Sequence, residues 1–144
     1  MDDYEKYEAD CKAIRKANKR LLNEFEAWLK ASALSAKTIK DHLSNIDFYL
    51  NEFLLYEDAT EAKNGLDAVG MFLGYWFIKK AMWASQSSIK ANATSIMKFY
   101  TFMHESDLVD EKDLFYLKQI IKEGMSEWLA TLERYDDPSV EDVW

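Results

Sequence analysis

Apolar residues recur at alternating steps of three and four along five segments of this chain of 144 residues. That spacing keeps side chains on one face of an α-helix, whereas a half-buried strand needs strict alternation. Four glycines and a single proline provide too few tight turns for a β-sandwich or β-barrel. The pattern therefore predicts an all-α fold of about five helices, and the length fits one ordinary domain.

The apolar stripes also predict where the helices lie. In chain order they cover residues 3–31, 36–56, 69–83, 85–105 and 110–135. Ser35 and Ser87 are predicted to cap the second and fourth helices, because a serine hydroxyl can accept a bond from a free backbone N–H. The polar stretch 56–65, which ends in Asn-Gly, is expected to be the longest internal loop. A single domain over 1–136 is then followed by a mobile tail, 137–144.

The net charge of −8 is distributed unevenly along the chain. Residues 1–106 carry 14 basic and 15 acidic residues, whereas residues 107–144 carry 4 and 11. An acidic chain argues against broad affinity for nucleic acid, because that affinity comes from neutralising phosphates. A local basic face within the nearly neutral residues 1–106 is still compatible with this charge. The fifth predicted helix lies in the acidic part of the chain and is expected to be acidic.

The N-terminus and the hydropathy pattern give no sign of export or of a membrane. The first five residues are acidic, where a signal peptide is basic and then apolar. No stretch reaches the length of about 18 apolar residues that a membrane span requires. We therefore expect a cytoplasmic protein that does not contact a membrane.

One basic face stands out in the first predicted helix. Its members follow steps of three, one, three and one, with no acidic residue between positions 11 and 23: Lys12, Arg15, Lys16, Lys19 and Arg20. Five cations on one face can follow a phosphate backbone or bind an acidic partner. The alternative is an ordinary solvated face, paired in part with the acidic fifth helix of the same chain.

Residues that could support catalysis or bind a metal form no recognisable site. Cys11 is the only cysteine, which excludes an intramolecular disulfide and a multi-cysteine zinc site. His42 and His104 lack a second ligand at helical spacing. Glycine-rich phosphate loops and nucleophile motifs are missing, and the aromatic run 72–83 is interpreted as core packing. We therefore expect no enzyme, no metal, no cofactor and no small-molecule substrate.

Three sequence blocks within residues 20–108 carry a resemblance to a known family. They are Phe25-Glu-Ala-Trp28-Leu29 with Ala33-Leu34-Ser35-Ala36-Lys37-Thr38-Ile39, then Val69 to Leu73, then Ser87-Ser88-Ile89 with Ile96 and Phe99-Tyr100-Thr101-Phe102-Met103. In order and spacing they resemble the N-terminal core-binding domain of tyrosine recombinases and phage integrases. This is a SAM-like helical domain that precedes the catalytic domain.

The resemblance implies a single orthogonal bundle that forms half of a clamp around duplex DNA. It implies contacts at the start of the second helix and along the fourth: Lys37, Thr38, Lys40, Ser87, Ser88, Lys90, Thr94 and Lys98. The fourth helix carries only two lysines, so we expect modest affinity at ordinary salt. The family's catalytic residues have no counterpart after this region, and we expect no strand cleavage by this chain alone.

Two main functional hypotheses follow. The first is a non-catalytic DNA-binding module of the kind used in DNA integration and recombination, with phosphate contacts and no strong base reading. The second is a protein-interaction or oligomerisation module of the same fold that has lost DNA binding. In that case the long apolar stripe of the fifth helix would dock on a second copy, a recombinase or another basic partner. A fragment or decayed relic of an integrase is a third hypothesis, which the sequence does not separate from the first.

Overall fold

The computed structural model describes residues 2–136, and all the regular secondary structure in this part of the chain is helical. The helices are α1 (Asp3–Ala31), α2 (Ala36–Asp47, continued by a π-helical turn Phe48–Phe53), α3 (Val69–Met71, a π-helical turn Phe72–Trp76, and Phe77–Lys80 in one run), α4 (Gln86–Glu105) and α5 (Glu111–Asp136). Two 3₁₀ turns, Ala62–Asn64 and Leu66–Ala68, lie between α2 and α3. The all-α class with five helices is confirmed, and the predicted tail 137–144 lies outside the described residues.

The predicted ends of α2 and α3 are wrong. The helical run of α2 stops at Phe53 rather than at residue 56, and α3 stops at Lys80 rather than near Trp83. Ala81 leaves the helical region with φ −90° and ψ 117°. The indole of Trp83 still lies 6.2 Å from the Phe77 ring, so the apolar stripe continues after the backbone has left the helix. Periodicity therefore overestimates the length of α3.

The connection predicted as a polar loop over 56–65 is anchored to the core by two buried tyrosines. Tyr100 donates a hydrogen bond to the Ala62 carbonyl at 2.7 Å, and Tyr49 donates one to the Gly65 carbonyl at 2.5 Å. Burial raises the pKa of both phenols, so they remain protonated donors. A Cβ at Gly65 would lie 2.7 Å from the Tyr100 hydroxyl oxygen, so a glycine is required there.

The π-helical turns of α2 and α3 pack against each other through aromatic rings. The Phe72 ring lies 4.9 Å from Tyr49 and 5.0 Å from Phe53, and the Trp76 ring lies 5.3 Å from Phe53. Tilted and edge-to-face pairs at these distances stabilise a core beyond their buried area. The prediction that the 72–83 run packs in the core is confirmed for Phe72 and Phe77, which are fully buried, and it is wrong for the end of the run, where Met82 and Trp83 are exposed.

Polar contacts join α1 to the end of α2. Asn18, the polar member of the apolar stripe of α1, is buried and donates to the Asn51 side chain at 2.8 Å. Asn51 donates in turn to Asp47, and Tyr7 donates to the Leu55 carbonyl. A buried amide needs its partner, so this bond selects one alignment of the two helices.

Helix α5 packs against α3 and α4, and its Trp128 lies against glycines of both α3 and α5. A Cβ added at Gly74 would be 2.6 Å from Trp128 Cδ1, and one at Gly124 would be 2.4 Å from its Cζ2. The indole is 7% exposed, and Leu117 and Leu132 on the same stripe are also buried. Most of the apolar stripe that was expected to dock on a partner is therefore used within the chain.

We predict that Gly74→Ala lowers the free energy of unfolding by about 1–3 kcal/mol, because the new methyl overpacks against a buried indole ring. The matched control is Gly70→Ala on the same helix, where a Cβ would lie 3.9 Å from Trp128 and Ile120. The control should be neutral, or stabilising by up to about 1 kcal/mol through helix propensity. Urea unfolding measures the free energy of unfolding of both variants. Equal effects of the two substitutions would contradict the close packing of Trp128 on Gly74.

Candidate nucleic-acid interface

Helix α4 presents the predicted DNA contacts on an outward face. Lys90 and Thr94 are exposed and Lys98 is half-buried, at successive steps of four residues. Within residues 2–136, neither lysine has a carboxylate within ion-pair distance. The Thr94 hydroxyl donates to the Lys90 carbonyl at 3.1 Å, so its proton is already used inside the helix. The two ammonium groups are the free polar groups of this face.

The start of α4 is capped by Ser85, and the predicted cap Ser87 is wrong. The Ser85 hydroxyl accepts from the Ser88 backbone N–H at 3.1 Å, and the Ser88 hydroxyl accepts from the Ser85 N–H at 2.7 Å. This reciprocal capping box starts the helix at Gln86, within one residue of the predicted start at 85. The Ser87 hydroxyl lies 3.1 Å from that of Ser85. Both serines implied as DNA contacts are therefore hydrogen-bonded within the cap.

A long stretch without acidic residues surrounds Lys90 and Lys98, and the sequence analysis above did not identify it. Residues 68–104 contain no aspartate or glutamate, although the chain as a whole carries 26 acidic residues. This stretch of 37 residues covers α3, the turn after it and nearly all of α4, and it includes four lysines: Lys79, Lys80, Lys90 and Lys98. No carboxylate within this stretch itself offsets the charge of the four lysines, and such segregation of charge favours anionic partners. Counting acidic residues in a moving window would have found it.

The start of α2 contributes less than the resemblance implies. Lys37 forms an ion pair with Asp41 at 2.9 Å, one turn later on the same helix. The Thr38 hydroxyl accepts a hydrogen bond from Ser35 at 2.9 Å, next to the predicted cap at Ser35, which is confirmed. Lys40 is exposed and has no ion pair in the part of the chain that the structure describes. Of the three α2 candidates, only Lys40 offers an unpaired charge.

A buried polar joint holds α2 against α4 behind this surface. The Ser95 hydroxyl is fully buried and accepts from the Asn45 side chain at 3.0 Å. It lies 2.7 Å from His42 Nδ1, to which it donates when that nitrogen is unprotonated. Burial, with a smaller contribution from the positive charge of Lys98, lowers the pKa of His42. The joint therefore favours a neutral imidazole and fixes Lys98 relative to α2.

The basic residues of α1 are all exposed, but carboxylates accompany them. Arg15 and Lys19 line a groove of about 450 Å³ between α1 and α2 that also contains Glu26 and Asp47. Arg20 lines a different hollow, together with Glu24 and Glu61, and Lys12 lies in a hollow with Glu8. Lys16 is exposed like the others. The five cations therefore do not form one uninterrupted positive surface.

The idea that α5 neutralises α1 has no support in the described residues. There, no ion pair joins the two helices, and α5 packs mainly on α3 and α4. Glu111–Asp136 holds six acidic and four basic residues, a net charge of only −2. Most of the acidic excess after residue 106 thus comes from residues other than 111–136. The predicted cap of this helix at Asp110 is confirmed, since its carboxylate accepts from the Asp113 N–H at 2.8 Å.

Residues 2–136 contain neither a metal-binding cluster nor a membrane-spanning helix. No group of three histidine, cysteine or acidic side chains is arranged to hold a metal ion there. None of the helices in that range has the length and apolarity needed to cross a membrane. No protein family model, curated protein or solved structure matches this chain. The likeness to a recombinase domain therefore remains a hypothesis that rests on the three sequence blocks within residues 20–108.

We predict that His42 makes the protein less stable as the pH falls below the ordinary histidine pKa of 6.5. The folded state holds the His42 pKa lower, so the unfolded chain binds the proton more readily in that range. His42→Gln should therefore lose less stability than the wild type between pH 7.5 and 5. Urea unfolding at several pH values measures this, and parallel curves for the two proteins would contradict it. His104→Gln controls for the loss of a histidine hydrogen bond, because His104 bonds to the Val109 carbonyl at 3.1 Å.

Proposed function

We propose that this chain is a non-catalytic module that binds duplex DNA with modest affinity through phosphate contacts, as the resemblance to a recombinase core-binding domain implies. The orthogonal SAM-like topology is part of the same proposal. The observation that carries it is the stretch 68–104 without acidic residues, which leaves Lys90 and Lys98 unopposed on the outward face of α4. Phosphate oxygens are the natural partners of such a surface.

The geometry favours α4 and the start of α2 over α1 as the contact surface. Lys98 is held beside α2 by the joint between His42 and Ser95, and Lys40 adds an unpaired charge on α2. Cations of α1 share their grooves with carboxylates, which weakens their attraction for phosphate. Three uncommitted ammonium groups imply a slope of about −3 when log K is plotted against log salt. Such an interface loses most of its affinity at physiological salt.

We predict that the double variant Lys90→Glu/Lys98→Glu weakens duplex binding at least tenfold at low salt. Two phosphate contacts disappear, so the salt slope should fall by about 2. Fluorescence anisotropy with a labelled duplex at several salt concentrations measures both quantities. The matched control is Lys118→Glu/Lys122→Glu, which makes the same change in net charge on exposed positions of α5. If both double variants bind equally well, the proposed interface is wrong.

A second candidate function is a protein-interaction module, and one observation favours it. Phe115 and Tyr116 near the start of α5 are 62% and 54% exposed. They lie beside Glu111 and Asp113, so a basic partner or a second copy could bind there. Deleting residues 107–144 is a poor test of this candidate, because the deletion would remove Trp128 from the core. Substitutions at the two exposed rings avoid that problem.

The second candidate predicts self-association that Phe115→Ser/Tyr116→Ser weakens at least tenfold, since exposed aromatic side chains often dominate an interface. Sedimentation velocity over a range of protein concentrations measures this. Tyr4→Ser is the control, because Tyr4 is 61% exposed on α1. A protein that stays monomeric and binds the duplex supports the DNA-binding proposal instead.

A further inference from the structure

The turn between α3 and α4 presents two large apolar side chains to solvent. Met82 is 99% exposed and Trp83 is 60% exposed, although most aromatic residues of this chain are buried or half-buried. Single exposed apolar residues are common on protein surfaces. Two adjacent ones at the tip of a tight turn form a compact projection, which the phosphate contacts described above do not use.

The backbone of this turn is held in place at both ends. The Ala81 N–H donates to the Phe77 carbonyl at 2.9 Å, and the Ala84 N–H donates to the Ala81 carbonyl at 3.2 Å. The Ser88 hydroxyl, from the capping box of α4, donates to the Trp83 carbonyl at 3.2 Å. A preformed turn loses little conformational entropy when it binds a ligand.

The Trp83 ring is itself supported on one side. It lies 5.3 Å from the Phe48 ring and 6.2 Å from the Phe77 ring, both in edge-to-face geometry. These contacts limit rotation of the indole while more than half of its surface remains open. A held but accessible aromatic ring is suited to stacking.

The turn lies near the middle of the stretch without acidic residues. Lys79 and Lys80 end α3 immediately before it, and Lys90 follows in the second turn of α4. A flat apolar ring with cations before and after it in the chain complements a ligand with flat apolar rings joined by anions. Nucleic acid has that chemistry, whereas an acidic peptide lacks the regular series of rings.

We propose that the Met82–Trp83 turn is a nucleobase contact. The indole of Trp83 stacks on a base that is unpaired or displaced from the DNA helix, Met82 inserts beside it as an apolar wedge, and the neighbouring lysines bind the flanking phosphates. This inference rests on the proposed function and adds a preference for locally opened DNA. It also assigns the turn a role that the fold does not require.

The test compares two DNA ligands in anisotropy titrations at low salt: a fully paired duplex, and the same duplex with one unpaired 2-aminopurine in a bulge. The wild type should bind the bulged DNA about tenfold more tightly and quench its 2-aminopurine fluorescence. Trp83→Ala should remove both the preference and the quenching, and it should bind the paired duplex within about twofold of the wild type. Trp83→Phe should recover part of the preference. Circular dichroism and urea unfolding confirm that each variant is folded.

The matched control is Phe115→Ala, which removes an aromatic side chain of similar exposure from α5 and should keep the preference. A wild type that binds both DNAs equally, or a Trp83→Ala variant that keeps the preference, overturns the nucleobase contact while the proposed function stands. Failure to bind either DNA overturns the proposed function together with the contact.

A final arm of the test uses vesicles of phosphatidylserine and phosphatidylcholine. If those vesicles shift the tryptophan emission to the blue only when Trp83 is present, and the bulge confers no preference, the turn is a membrane contact instead.

Discussion

The indole of Trp128, which lies against Gly74 and Gly124, is the contact on which the rest of this structure depends. Helix α3 spans only residues 69–80 and includes a π-helical turn, so it is too short to be stable alone. It is held between α5, through this indole, and the aromatic turn of α2, through Phe72 and Tyr49. The end of α3 sets the position of the following turn and of the first residues of α4. The position of the candidate interface on α4 therefore depends on the contact between Trp128 and Gly74, where α3 packs on α5.

The second constraint is polar and lies directly beneath the interface. Ser95 is fully buried on α4 and is hydrogen-bonded to both His42 and Asn45 of α2. An apolar contact at this point would permit small rotations of α4, whereas a buried hydroxyl with two partners permits one arrangement. That arrangement places the Lys98 ammonium close enough to His42 to lower its pKa. The spacing of the cations on α2 and α4 is thus fixed by groups that do not themselves face solvent.

Most of the fold could be predicted from the sequence, because helix formation here follows local periodicity and capping. The bounds of α1 and the caps at Ser35 and Asp110 are as predicted. The predicted helix ends are wrong where contacts between residues distant in sequence determine the structure. Trp83, for example, packs on Phe48 although its backbone is not helical. The site was less predictable, since the ion pair of Lys37 and the use of Ser88 in a cap depend on geometry. The absence of acidic residues from 68–104 is visible in the sequence. Looking only for clusters of basic residues does not reveal it.

An acidic chain can still contact DNA when its acidic residues are segregated, and the segregation here is strong along the sequence. At physiological ionic strength the Debye length is about 8 Å, so exposed carboxylates further away than that are largely screened. The same screening weakens the few phosphate contacts that we propose for the exposed or half-buried Lys40, Lys90 and Lys98. Stacking by an exposed indole is much less sensitive to salt. In the proposed interface the lysines determine the rate of encounter and its salt dependence, while the affinity for locally opened DNA that persists at physiological salt comes increasingly from the apolar turn at Trp83.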